Sequence, residues 1–138
     1  MVPENTTEKR EAQPLRLSFG KDTIHILLYN HRIYIPIQQG LSLIKVEPNW
    51  LNIDNLSRKG RLLKSKKFSF ERVLLCYQIN QTGQYVFAES IPHEDWLIVL
   101  AHFGSRGNTK ALSILQWLAQ FGVEQHVETF EVVTQCGQ

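Results

Sequence analysis

The chain has 138 residues, 43% of them hydrophobic and 20% charged, with a formal net charge of +2. That length suits one compact domain able to bury ~68% of the surface its unfolded chain exposes, and so small a charge excludes a polycation whose overall field would dictate its partners. No run approaches the ~20 apolar residues that cross a bilayer, and MVPENTTEKREAQP lacks the apolar core of a signal peptide, so an intracellular, cytoplasmic protein without membrane contact is expected.

Residues 1–14 mix Glu4, Glu8 and Glu11 with Lys9, Arg10 and two prolines, a composition that buries too little surface to offset ordering entropy. A flexible leader is expected there, followed by a single α+β domain over residues 15–133 and a flexible tail over 134–138. RLSF and TIHILLY are short β-rich runs separated by Gly20-Lys21-Asp22, and Asn30-His31 forms the next turn ahead of RIYIPI; together they predict an antiparallel meander. Pro36 cannot donate to a ladder, so the third strand is an edge or ends at that residue.

IQQGLSLIKV places Ile37, Leu41 and Ile44 at helical spacing, and EPNWLNIDNL does the same with Trp50, Ile53 and Leu56, Pro48 suiting a first turn. Two short helices are predicted. RVLLCYQI and QYVFAES flank Asn80-Gln81-Thr82-Gly83, a hairpin signal. Pro92 and His93 mark the next boundary, with Glu94 and Asp95 in a first turn where the helix dipole favours negative charge; the helix runs from Trp96 to Phe103 and stops at Gly104.

Asn108 caps the following helix, whose stripe of Ala111, Leu112, Leu115 and Leu118 is widened by Trp117 and Phe121 and ends at Gly122. HVETFEVV alternates as a last strand, made locally acidic by Glu124, Glu128 and Glu131; pairing of Val127 to Val133 at a sheet edge would give a homodimer. The predicted fold is a small antiparallel sheet of hairpins covered by two C-terminal helices, with one or two short helices after the first meander. Trp96, Leu97, Leu100, Leu112, Leu115 and Leu118 are its predicted core. Cys76 and Cys136 lie far apart and fit no disulfide framework or CxxC motif, and Cys76 within VLLCY fills core space.

Catalytic constellations are poorly supported. HEDW, residues 93–96, brings an imidazole and two carboxylates together in sequence, but consecutive helical residues point ~100° apart and do not converge on one atom. Ser90, His93 and Asp95 lack the GxSxG elbow of a nucleophilic serine. His25, His31, His93, His102 and His126, with Cys76, show none of the paired spacings of zinc sites, so no metal or cofactor is expected. Asp54, Glu71 and Glu89 are the carboxylates a small metal-dependent nuclease would need, the least poor enzymatic alternative. GSRGNTKA departs from GxxxxGK[ST] and follows a helix where a nucleotide-binding loop follows a strand. Backbone N–H groups at that helix start, with Arg106, Asn108 and Lys110, remain suited to an anion such as a DNA phosphate.

The clearest electrostatic feature is SRKGRLLKSKKF, where Arg58, Lys59, Arg61, Lys64, Lys66 and Lys67 occur with no acidic residue between them. Read as a loop between a helix and a hairpin, this density neutralises phosphates and releases counterions, with Ser57, Gly60 and Ser65 permitting close backbone approach. Arg106 and Lys110 would extend the contacts if the two basic segments share a face. The competing reading is an ordinary solvated charge run.

RIYIPI with LSLIKV at residues 32–46, YVFAESIP at 85–92 followed by DWLIVLA, and SRGNTKALSILQWL at 105–118 stand in an order that resembles the N-terminal domains of phage antirepressors and the related Bro-N domains of large DNA viruses and prophages. The resemblance spans residues 22–121, with one residue inserted between Ser105 and Ala111 and an unusually basic segment between Trp50 and Phe68. It implies DNA binding or interference with a repressor, without catalysis, and carries over no catalytic residue. The expectation is therefore a non-catalytic regulatory protein of phage or mobile-element type contacting DNA, most simply duplex. A protein-binding antirepressor or inhibitor module with a regulatory protein as partner is the first alternative, and the nuclease the second.

Overall fold

The computed structural model describes residues 10–78 and 83–121. Three antiparallel strands open the fold: β1 (Gln13–Phe19), β2 (Asp22–Tyr29) and β3 (Arg32–Pro36). Gly20 (φ 63°) turns the first hairpin, while Asn30 (φ 54°) and His31 (φ 64°) both take the left-handed conformation that a two-residue turn matched to strand twist requires. Pro36 ends β3 as expected, because a proline has no N–H to give the ladder.

A short helix α1 (Ile37–Ser42) follows, then a 3-10 turn at Pro48–Leu51 and a helix α2 (Arg58–Ser65). A further hairpin, β4 (Val73–Gln78) and β5 (Tyr85–Pro92), joins through β5 to β3, so the antiparallel sheet has the order β1-β2-β3-β5-β4. The turn residues 79–82 lie outside the described residues, as do Gly122, Cys136, the predicted last strand with its Val127–Val133 edge, and the tail. Two helices, α3 (His93–Gly104) and α4 (Thr109–Phe121), complete an α+β fold of the predicted kind.

The sheet has two apolar faces. Leu15, Leu17, Phe19, Ile24, Ile26, Ile33 and Ile35 pack under the helices with Trp96, Val99, Leu100, Ala111, Ile114 and Leu118. On the opposite face Ala12, Leu27, Tyr34, Leu75 and Tyr77 form a second cluster. It forms because the sheet curls until its two edges meet: Ala12 N–H donates to the Cys76 carbonyl at 2.8 Å and Cys76 N–H donates to the Arg10 carbonyl at 3.0 Å. The leader expected through Pro14 therefore joins the fold from Arg10 onward. Composition did not reveal this, since the edge of β4 offers backbone partners to whatever segment passes it.

Three other local readings are corrected. The helix expected from Pro48 to Leu56 shortens to the 3-10 turn, because the Asp54 carboxylate takes the Leu56 N–H at 2.9 Å and turns the chain, leaving Leu56 77% exposed. Helix α3 ends at Gly104 as expected, and the left-handed glycine of the following turn is Gly107 (φ 99°). Gly104 also lets the two helices approach, since a Cβ there would stand 3.3 Å from the Leu112 backbone. The buried stripe of α4 is Ala111, Ile114 and Leu118, so Leu112 lies 41% exposed and Ile114 takes the core position assigned to it. Lastly, the basic segment expected as a loop is the helix α2. Leu97 and Leu115 pack against the core without full burial, and Cys76 is buried as expected.

Candidate nucleic-acid interface

Helix α2 forms where composition suggested a loop because its start and its inner face are both specified. Ser57 caps it, its Oγ accepting from the Gly60 N–H at 3.0 Å and donating to the Asp54 carbonyl at 2.6 Å. Leu63, fully buried, anchors the helix in the main core. Gly60 is required by contact, since a Cβ there would sit 2.3 Å from the Asp54 carbonyl oxygen and 2.7 Å from Asn55 Cα. Gly60→Ala gains about 1 kcal/mol of helix propensity, but the obstructing atoms are backbone, and overpacking of about 1–3 kcal/mol outweighs it. A lowered urea midpoint by tryptophan fluorescence is expected; a raised one would mean that α2 is not seated on residues 54–55.

With Leu63 turned inward, Arg58, Arg61 and Lys64 are exposed on α2, and Lys66 and Lys67 are exposed just beyond it. Lys59 is half-buried, its Nζ 4.4 Å from the centre of the Trp50 ring and donating to the Trp50 carbonyl at 3.3 Å. Among the described residues none of these six cations makes an ion pair. Elsewhere among the described residues the arginines and lysines that reach carboxylates are Arg32, with Glu71 and Glu94, Arg72, with Glu89, and Lys110, with Asp22. The first turn of α2 also has no acidic residue, so Arg58 and Lys59 stand at the positive end of the helix dipole, each at a cost of about 0.3–1 kcal/mol. At its start the helix carries positive charge against its own local preference, whereas Lys64 in the last turn is favourably placed.

The two basic segments meet at His102. Its ring, 6% exposed, packs 5.2 Å from Trp50, the residue beneath Lys59, and its carbonyl accepts from the Arg106 guanidinium at 3.2 Å. Arg106 is exposed and also donates to Ser105 Oγ. Lys110 belongs elsewhere, its ammonium held by Asp22 at the start of β2. Asn108 caps α4, accepting the Ala111 N–H at 2.9 Å, while its amide donates to the Ile44 carbonyl at 2.9 Å. Of the second basic turn, then, Arg106 joins the α2 set and Lys110 does not.

Burial first, and then Arg106, Lys66 and Lys59, hold the His102 imidazole below its ordinary pKa. The unfolded chain therefore binds more protons than the folded one as pH falls from about 6.5 toward the folded value, and stability is lost through that window. His25, lowered by burial and by Arg16, acts in the same sense. Asp95, raised by burial, acts oppositely and loses stability as pH rises through its folded pKa. The urea midpoint should fall between pH 7.5 and 5.5, and His102→Gln should reduce that fall; an undiminished fall would assign it to other groups.

The carboxylates of the nuclease alternative are each engaged separately. Asp54 holds the Leu56 N–H, Glu71 accepts from Arg32 and Tyr34, and Glu89 pairs with Arg72. Among the described residues no group of three or more His, Cys, Asp or Glu converges in a way that would hold a metal ion. Nor do Ser90, His93 and Asp95 form a relay: Ser90 Oγ donates to the Ala88 carbonyl, and both Asp95 oxygens are taken by Ser69. Among the described residues no helix is long and apolar enough to cross a membrane.

Two features had no usable sequence signal. His102 was one of five scattered histidines, and its place between the basic segments follows from the packing of α3 against Trp50. The Ser69–Asp95 pair spans 26 residues and joins a charged helix start to an irregular segment. Comparison with models of known families, with curated proteins and with solved structures finds no match for the chain.

Proposed function

We propose that the chain is a non-catalytic, nucleic-acid-binding regulatory protein that contacts the phosphates of duplex DNA through Arg58, Lys59, Arg61, Lys64, Lys66 and Lys67, with Arg106 extending the contact. The observation carrying this reading is the set of six cations, all without an ion pair among the described residues, on a helix and its C-terminal extension. Unpaired cations give a nucleic-acid backbone charge it can neutralise without first breaking an internal pair. The phage or mobile-element setting rests on the resemblance of residues 32–46, 85–92 and 105–118 alone. A salt-titrated binding assay against duplex DNA, single-stranded DNA and RNA tests the proposal. Affinity that falls linearly with log salt supports it, and absence of binding at low salt overturns it.

A second reading, a protein-binding antirepressor or inhibitor module, is favoured by one observation. Leu74 and Phe87 are 53% and 57% exposed, and they are diagonal neighbours on one face of the β4–β5 hairpin, beside the Cys76–Phe87 and Leu74–Glu89 pairs. In that case Leu74→Ser with Phe87→Ser removes partner capture, while neutralising α2 leaves it intact.

A further inference from the structure

Beside α2 lies a cavity of about 290 Å³ with an apolar floor that includes Ile53, Phe70 and Ile91 and a polar rim that includes Asp54, Asn55 and Arg72. Its volume falls at the small end of the ~300–1,000 Å³ range of ligand pockets, the scale of a single planar ring system. Asp54 and Asn55 form its wall and are also the residues on which Gly60 of α2 is seated. The cavity and the cationic helix therefore share a wall.

Phe70 has φ 62°, a left-handed conformation that a bulky side chain rarely takes. The residues on either side impose it. Ser69 donates from its backbone N–H and from Oγ to the two oxygens of Asp95, at 3.0 and 2.6 Å, and Ser69 Oγ accepts the Glu71 N–H at 3.1 Å. Asp95 is 2% exposed, so a desolvated carboxylate is committed to holding this segment. Strain that the surrounding structure over-determines clusters at ligand clamps. The Phe70 ring stands edge-on to Phe68, with centroids 4.9 Å apart, and remains only half-buried. Across the rim Arg72 is pinned by the Leu51 carbonyl, the Asn52 side chain and Glu89. Both sides of the site are thus held by contacts within the protein.

We infer that this cavity accepts one unpaired nucleobase bearing an exocyclic amine, stacked on Phe70, from a DNA whose phosphates lie on α2. The inference rests on the nucleic-acid-binding reading and adds to it a preference for an extrahelical base. Stacking on an aromatic ring is the contact that every base offers. Asp54 supplies the discrimination: one of its oxygens is occupied by the Leu56 N–H, and the other is suited to accept from an amine such as cytosine N4.

The test compares labelled duplexes by fluorescence anisotropy: fully paired, with one bulged cytosine, with one bulged thymine, and with an abasic bulge. The bulged-cytosine duplex should bind on the order of 10-fold more tightly than the abasic one, with thymine between them. Phe70→Leu, which keeps apolar volume but loses the π-face, should abolish that preference while keeping the affinity for paired duplex; Asp54→Asn should narrow the gap between cytosine and thymine. Equal affinity of the wild-type protein for the cytosine and abasic bulges overturns the inference and leaves the phosphate-binding reading standing. No binding to any of the four at low salt overturns both.

Discussion

Replacing Arg58, Arg61 and Lys64 together by glutamine should lower affinity for duplex DNA on the order of 10²-fold at about 0.1 M salt, equally for all sequences, and flatten the salt dependence by about three in log–log slope. The magnitude follows from counterion release, in which each phosphate contact contributes a slope of about 0.9. These three side chains are exposed and have no ion pair among the described residues, so their loss removes no internal contact of that kind. Removing Arg58 from the positive end of α2 relieves a dipole repulsion that offsets the loss of Lys64 from its last turn, so the stability of the folded state should change little. Lys110→Gln is the matched control. Its ammonium is already held by Asp22, so binding should change little while the α4 end of that pair is lost. Unchanged duplex affinity in the triple variant, at any salt, would remove the phosphate-binding proposal.

The largest effect on stability should come from the contact between α1 and α3. Trp96 is fully buried, packs near Phe19, and donates from Nε1 to the Gly40 carbonyl at 3.2 Å. Trp96→Ala should cost about 3–5 kcal/mol through lost burial and an uncollapsed cavity, a large share of the ~5–15 kcal/mol that holds a domain folded. Gly40→Ala approaches the same contact from the other side. A Cβ there would lie 2.7 Å from Ile35 Cγ2 and 2.9 Å from Trp96 Nε1. Ile35 and Trp96 are both completely buried and have little room to yield. The ~1 kcal/mol that alanine gains over glycine in a helix should lose to overpacking of about 1–3 kcal/mol and to the disturbed hydrogen bond. Urea unfolding monitored through Trp50 and Trp117 reads both variants. A Gly40→Ala protein as stable as the parent would show that α1 and α3 do not meet this closely.

Much of the element order was legible because its signals are local. Asn30-His31 and Gly20 announce turns through residues suited to positive φ, Pro36 ends a strand through a missing N–H, and Asn108 caps a helix through one side-chain oxygen. Where a signal needed a partner outside its own window, the reading went astray. Leu112 and Ile114 lie within the same helical turn, and only the packing of α4 on the core shows that Ile114, with Ala111 and Leu118, faces inward. Arg10 to Ala12 read as too polar to order, and the open edge of β4 made them part of the sheet. SRKGRLLKSKKF hid a helix because its single anchor, Leu63, and its cap, Ser57, were outnumbered by charge.

The candidate site divides in the same way. The run of cations from Arg58 to Lys67 was evident from composition alone, since charge density needs no structure to be counted. Which cations are free of carboxylates was not, because pairing depends on residues tens of positions away: Asp22 takes Lys110, Glu71 takes Arg32, and Glu89 takes Arg72. The sequence by itself determined an α+β chain of a three-stranded meander, a further hairpin and two closing helices with one basic stretch, because hydrophobic period, turn chemistry and charge count are properties of neighbours along the chain. Only the tertiary structure decided that the basic stretch is a helix, that Arg106 meets it across His102 while Lys110 does not, and that a strained Phe70 lines a cavity beside it. Those outcomes depend on the close packing of segments distant in sequence, where one buried carboxylate or one missing Cβ settles which surfaces come together.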